Sequence, residues 1–266
     1  MKNRFALILI AAGACLACAT AANAGQRCDT AKPTPRVIER GLNLAQRTAA
    51  ALDAEHRQHG TRVVLLARAG QDLSKYGQHW SHVGWAYKTA EGPWRVVHKL
   101  NECGTDQSLI TRQGLGEFFL DDLWRYEAAW APPPPELQDA LWKLLQDNRR
   151  APALHQRRYS MVSYAWGTRY QQSNQWAIET LALAAEPQVQ RREQAQAWLR
   201  LKDYRAATLR IGALTRLGGR MTAGNVAFDD HPNAQRFADR IETVTADSVL
   251  DWLQRLSAGG AAPRVA

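Results

Sequence analysis

Two short runs in the first half of the chain alternate in the manner of strands: "HVGWAYK" at 82–88 and "WRVVHKL" at 94–100. Five residues containing Gly and Pro, "TAEGP", separate them. Successive side chains of a strand point to opposite faces, so each run offers a face to a core, and the loop length fits an antiparallel hairpin. A hairpin alone is not stable and demands further strands and a covering helix. "RVVLLAR" (62–68), apolar enough to be central, and "RYEAAWA" (125–131), ended by Pro132–Pro135, supply strands. With Lys88 opposite Trp94, Gly84 faces His98, and His82 and His98 become diagonal neighbours on one face, about 7–8 Å apart at the backbone. A slip of one residue would part them.

Helical spacing predicts a helix over Arg36–His59, with Val37, Ile38, Leu42, Ala45, Ala49 and Leu52 on one face and Gly60 as the stop. "SLITRQGLGEFFLDD" reads as a loop and a short helix, with Asp121 and Asp122 at a helix end or turn. "PELQDALWKLLQ" is a helix with Leu137, Leu141, Leu144 and Leu145 on one side. "SNQWAIETLALAA", with little charge, is a mostly buried helix, and Gly84 and Ala86 beside His82 are small enough for it to approach there. After Pro187 come a charged helix ("RREQAQAWLRLK"), "AATLRIGALTRLGG", a strand-like "NVAFDDHP" and a closing helix "TADSVLDWLQRL". Strands clustered in the middle with helices around them make an α+β pattern. The expected division is a leader over 1–24, an α+β core over 25–186, and a mostly helical extension of the same domain over 187–266.

The leader reading rests on Lys2 and Arg4, a short apolar run, and Ala22-Asn23-Ala24 before Gly25. That is the pattern of a cleaved secretory signal, and the run is shorter than the roughly 20 residues of a membrane span. The mature chain is therefore expected to be periplasmic or secreted, without a transmembrane segment. Cys15 and Cys18 raise lipoprotein anchoring as a lesser alternative, although Cys15 stands where such signals usually carry Leu. Beyond the leader Cys28 and Cys103 remain, and a single pair in an oxidising compartment reads as a disulfide. Losing Lys2 and Arg4 lowers the net charge from +9 by two. The basic residues are scattered, and export removes most nucleic acid. Envelope polyanions, such as phospholipid headgroups or wall polymers, are the fitting partners if the charge has one.

The order "SHVGWAYK", then "VVHKLN", then a nucleophile-like position opening an apolar helix resembles the permuted NlpC-type papain fold. More closely, "GQDLSKYGQHWSHVGWAYK", "WRVVHKLNECG", "GLGEFFLDD", "RYQQSNQWAIE" and "VAFDDHP" resemble a bacterial family known as domain of unknown function 2145. The closer family carries no assigned activity, so the likeness implies a fold and no reaction. By the wider resemblance His82 takes the place of the catalytic base and His98 that of its orienting residue. The nucleophile, normally Cys, falls on "QSN": Ser173 takes it, with Asn174 the second alignment. Serine is far less acidic than cysteine and needs a placed base and an oxyanion hole. Backbone N–H groups at the helix start, with Asn174 and Gln175 (its amide an extra donor), are the candidates for that hole.

Each of these residues has a plainer role. Ser173 is a preferred N-cap, and either histidine fits a strand without chemistry. Trp80, Trp85 and Trp166, among ten tryptophans, are placed near the cleft to stack on a sugar or acyl chain, or simply belong to the core. No metal is expected: His79 and His82 point to opposite faces, and Asp229-Asp230-His231-Pro232 reads as a turn. No motif suggests a nucleotide or other cofactor. Two readings follow. The missing cysteine favours an exported envelope protein that binds a wall fragment, a lipid or an envelope protein in a papain-like cleft. The alternative is a serine-dependent amide or ester hydrolase or acyltransferase using Ser173, His82 and His98.

Overall fold

A computed structural model describes residues 32–121, 123–257 and 264–265. The leader, Cys28 and Asp122 lie outside them. Helix α1 (Pro35–His59) starts where the Thr34 hydroxyl accepts the Val37 N–H and stops at Gly60, whose φ of 69° few other residues adopt. Strands β1 (Val63–Ala69), β2 (His82–Lys88), β3 (Trp94–Asn101), β4 (Ser108–Gly114) and β5 (Arg125–Ala131) form one antiparallel sheet in the order β4-β3-β2-β1-β5. Strands β6 (Ala207–Arg210) and β7 (Arg240–Thr243) pair separately, and the two-residue β8 (Arg264–Val265) joins the outer edge of β5. The hairpin register is the one expected, with Lys88 opposite Trp94 and Trp85 opposite Val97.

The pleat of the sheet sorts the core into two layers. Val63, Leu65, Val83, Trp85 and Val97 face helices α3 (Gln138–Gln146), α4 (Ser173–Ala185) and α8 (Ala246–Leu256). Val64, Leu66, Ala86 and Val96 face α1 and the short α2 (Leu115–Phe119). Every residue of β1 is buried, because this central strand is covered on both sides. The mixed α+β class read from the sequence is thus the observed one. The segment beyond Pro187 shares the main core: α5 (Arg192–Leu201) contributes Ala195 and Leu199, and α8 contributes Val249, Leu250, Trp252 and Leu253.

Four details differ from expectation. "SLITRQG" is not a loop but β4, paired along its length with β3. "NVAFDDHP" contains no strand, while "RIET" in β7 is one. Helix α4 covers the Val83–Trp85 face, where the Trp85 indole N–H donates to the Ala177 carbonyl at 2.9 Å. It does not approach over Gly84. Gly84 instead admits its neighbouring strand: a Cβ there would stand 2.7 Å from Val96 Cγ1 and 2.9 Å from His98 Cβ.

The loop entering α4 is held by a buried charge network. Glu179, in the second turn of α4, takes the Arg192 guanidinium of α5 at 2.7 Å. Arg192 also donates to the carbonyls of Gly167, Thr168 and Tyr170. Gln171 donates to Glu179 and accepts from the buried Lys99 side-chain nitrogen of β3, whose pKa burial lowers to about 6. A buried pair is tolerated when its remaining donors and acceptors are satisfied, and here they fasten residues 167–171 ahead of the helix.

Candidate active site

The first residue of α4 and the first residue of β2 meet. Ser173 Oγ lies 3.1 Å from His82 Nδ1, His82 Nε2 lies 2.8 Å from His98 Nδ1, and His98 Nε2 lies 2.8 Å from Gln113 Oε1. Each contact follows from a local rule. Ser173 does not cap its own helix, because Gln172 does: its Oε1 accepts the Asn174 N–H at 2.9 Å. The Gln172 amide is fixed in turn to the Val244 carbonyl. Ser173 is the first helical residue, and its hydroxyl is left for His82. Asn174 Oδ1 accepts the Val83 N–H at 3.0 Å, which ties the start of α4 to the backbone beside His82. Gln113 reaches His98 because Thr111 is the register partner of His98, and the residue two further on lies diagonally on the same face.

The chain of contacts has a direction. Gln113 presents its carbonyl oxygen, an acceptor only, so His98 Nε2 carries a proton. A neutral His98 then accepts through Nδ1, and His82 Nε2–H donates to it. A neutral His82 is left with a lone pair on Nδ1, facing the serine hydroxyl. Both rings are held neutral. Burial first, then the nearby Arg68 cation, lowers His98 from 6.5 to about 3. Burial, Arg68 and His98, in that order, push His82 well below the ordinary imidazole range. Arg68 is the register partner of His82 in β1; it donates to the Phe118 carbonyl and pairs with Asp121. Phe118 packs on both rings, 5.9 Å from His82 and 5.2 Å from His98 between centroids.

Ser173 is closed from solvent, with only 4% of its surface exposed. The buried Tyr159 phenol interacts with both the hydroxyl and the backbone N–H of Ser173, and burial raises its pKa. Gln113, Tyr159 and Arg68 escaped the reading of the sequence. Nothing local marks Gln113, Tyr159 or Arg68: the strand that carries Gln113 has polar residues on both faces.

The other expected site residues stand elsewhere. The Gln175 amide donates to the Tyr164 and Ala165 carbonyls, and its oxygen accepts from Ser163, so it offers no donor to Ser173. Asn174 is a strand clamp. Trp85 is wholly buried on the far face and Trp80 belongs to the same core. Trp166 donates to Glu242 and stacks under the Arg200 guanidinium at 4.4 Å. None of the three faces the Ser173–His82 contact as a stacking platform. His79 binds Glu127 at 2.9 Å, and His231 binds Asp230 at 3.0 Å. No group of three or more His, Cys, Asp or Glu gathers as a metal set among the described residues. No described helix is long and apolar enough to cross a membrane.

The family model described as "Uncharacterized protein conserved in bacteria (DUF2145)" matches residues 55–253, about three quarters of the chain. The chain belongs to this bacterial family. The matched span holds Arg68, His82, His98, Gln113, Tyr159 and Ser173, together with the first part of α8 up to Leu253. No curated protein and no solved structure matches the chain.

Proposed function

We propose that this protein is a serine-dependent acyl hydrolase or acyltransferase, with Ser173 as nucleophile, His82 as general base and His98 as the residue that orients it. The observation that carries this reading is the directed contact chain from Ser173 to Gln113, which leaves the His82 lone pair on the serine hydroxyl within general-base reach. As Ser173 Oγ bonds to an amide or ester carbon, its proton passes to His82 Nδ1 and the carbonyl electrons move onto oxygen. Collapse of the adduct expels an amine or alcohol, which takes the proton from Nδ1; water or an acceptor alcohol then repeats the sequence on the acyl-enzyme. The resemblance to the permuted papain-like superfamily suggests cell-wall peptide or lipid as the acyl source.

Export belongs to the same reading and is supported by the leader pattern of residues 1–24. A Cys28–Cys103 disulfide would then form, since Cys103 sits on the exposed turn after β3 in an oxidising compartment.

One observation favours the binding reading instead. Among the described residues no carboxylate hydrogen-bonds to His82 or His98, and Arg68 disfavours the imidazolium that a working base must become. A serine-directed fluorophosphonate separates the two. Labelling of the parent that is lost in both Ser173→Ala and His82→Ala establishes an activated serine. A parent that stays unlabelled after prolonged exposure, while both variants match it in thermal stability, leaves a ligand-binding protein.

A further inference from the structure

Helix α6 (Ala213–Thr222) buries none of its residues. Leu214, Leu217 and Met221 recur at helical spacing and lie on one stripe, yet they are 86%, 57% and 78% exposed. Soluble surfaces carry scattered apolar side chains, but a continuous row marks a contact surface. Phe237, 71% exposed, stands two residues before Asp239, which pins α6 by accepting from Arg216.

Charge identifies the occupant. Between Arg205 and Phe228 the chain holds four arginines and no carboxylate. Arg210 and Arg240 are register partners across β6 and β7, so two cations face each other at the strand ends that lead into α6. Like charges directly opposite are destabilising unless an anion lies between them. Neither Arg210, Arg240 nor Arg220 has an ion-pair partner among the described residues, and all three are exposed. A second copy of the chain would bring such arginines together, whereas a layer of phosphates would satisfy them. An apolar stripe flanked by arginines on a short surface helix is the pattern of a helix lying in a lipid interface.

We propose that α6 docks this protein on an anionic lipid surface. Leu214, Leu217 and Met221 enter the acyl boundary while Arg210, Arg220 and Arg240 take headgroup phosphates. The inference does not depend on Ser173 being a nucleophile. The region nonetheless touches the loop that carries Tyr159: Met161 N–H donates to the Asn225 carbonyl, and Ser160 Oγ donates to the Ala227 carbonyl at 2.9 Å.

The test is cosedimentation of the protein, in the form that accumulates in cells, with vesicles of phosphatidylcholine alone or mixed with phosphatidylglycerol. Binding is expected only to the mixed vesicles, weakening as salt rises. Leu217→Gln with Met221→Gln should reduce it at least about tenfold, and Arg210→Gln with Arg240→Gln by about fivefold per arginine. Because α6 buries none of its own residues, the variants should keep the parent near-ultraviolet circular dichroism. Equal binding to both vesicle types, or an unaltered apolar-stripe variant, overturns the proposal. So does a parent dimer in sedimentation velocity that the stripe variant converts to monomer, which would make a second copy the occupant.

Discussion

Gln113 decides which nitrogen of each histidine bears a proton. Replacing it with Leu strands the His98 Nε2–H, a loss of about 1–3 kcal/mol for a buried donor. It also frees His98 to move its proton to Nδ1, where it would oppose His82 Nε2–H and turn His82 away from accepting the serine proton. Fluorophosphonate labelling of Gln113→Leu is therefore expected to fall while the protein stays folded, and Gln113→Glu, which retains the acceptor, should keep it. Equal labelling rates in parent and Gln113→Leu would show that the relay beyond His82 has no bearing on the serine. His98 also makes stability depend on pH. Its folded pKa, about 3, lies below its ordinary value of 6.5, so the unfolded chain binds the proton first. Stability should be flat above about pH 6.5 and decline as pH falls toward about 3. This one group contributes about 2 kcal/mol of loss between pH 7 and pH 5. Urea unfolding of parent and His98→Asn at both pH values measures it; parallel losses in the two proteins would exclude His98 as the source.

Packing of strands and helices sets the distances on which that chemistry depends. β2 and β3 come close at Gly84, where a methyl group would meet Val96, His98 Cβ and the Val97 carbonyl. Backbone and β-carbons cannot swing aside, so Gly84→Ala should destabilise by about 1–3 kcal/mol and displace His98 from His82. A shifted thermal midpoint together with lost labelling is the expected pair of results. A variant as stable as the parent would mean that the two strands separate more easily than their contacts imply. Helix α4 is positioned by different means: Gln172 caps it and Asn174 ties it to Val83. Ser173 thus owes its placement to its two neighbours in sequence.

Across the fold, α4 joins the sheet to the C-terminal segment through charge as well as apolar contact. Arg192→Met removes the cation from a wholly buried Glu179 and withdraws donors from the carbonyls of Gly167, Thr168 and Tyr170. Breaking a buried pair from one side costs about 3–5 kcal/mol, a large part of the stability of a domain. Chemical denaturation should show a loss of that size. The additional change Glu179→Gln, which removes the stranded charge, should recover part of it. If the double change is no more stable than Arg192→Met alone, the pair contributes by shape and hydrogen bonds and not by charge.

Local chemistry was sufficient for much of this architecture. Gly60 ends α1 because only a left-handed residue closes that turn, and "TAEGP" joins two alternating runs in the register that brings His82 to His98. The α4 helix was visible as an uncharged run after a polar loop. Other outcomes depended on partners distant in sequence. β4 carries polar residues on both faces, so only its pairing with β3 reveals it as a strand and delivers Gln113. Gly84 and Ala86 looked like room for a helix, but the twisted sheet used the space for β3 and put α4 on the opposite side. Ser173 had the residue type of a cap, and the longer Gln172 side chain, anchored at Val244, took that place. The amino-acid sequence by itself determined α1, the two strands of the hairpin and α4, since turn geometry and side-chain alternation act within a few residues. Tertiary structure alone decided the neutrality of the histidines, the closure over Ser173 and the identity of the helix cap, because burial and the Arg68 field arise only when distant segments pack together.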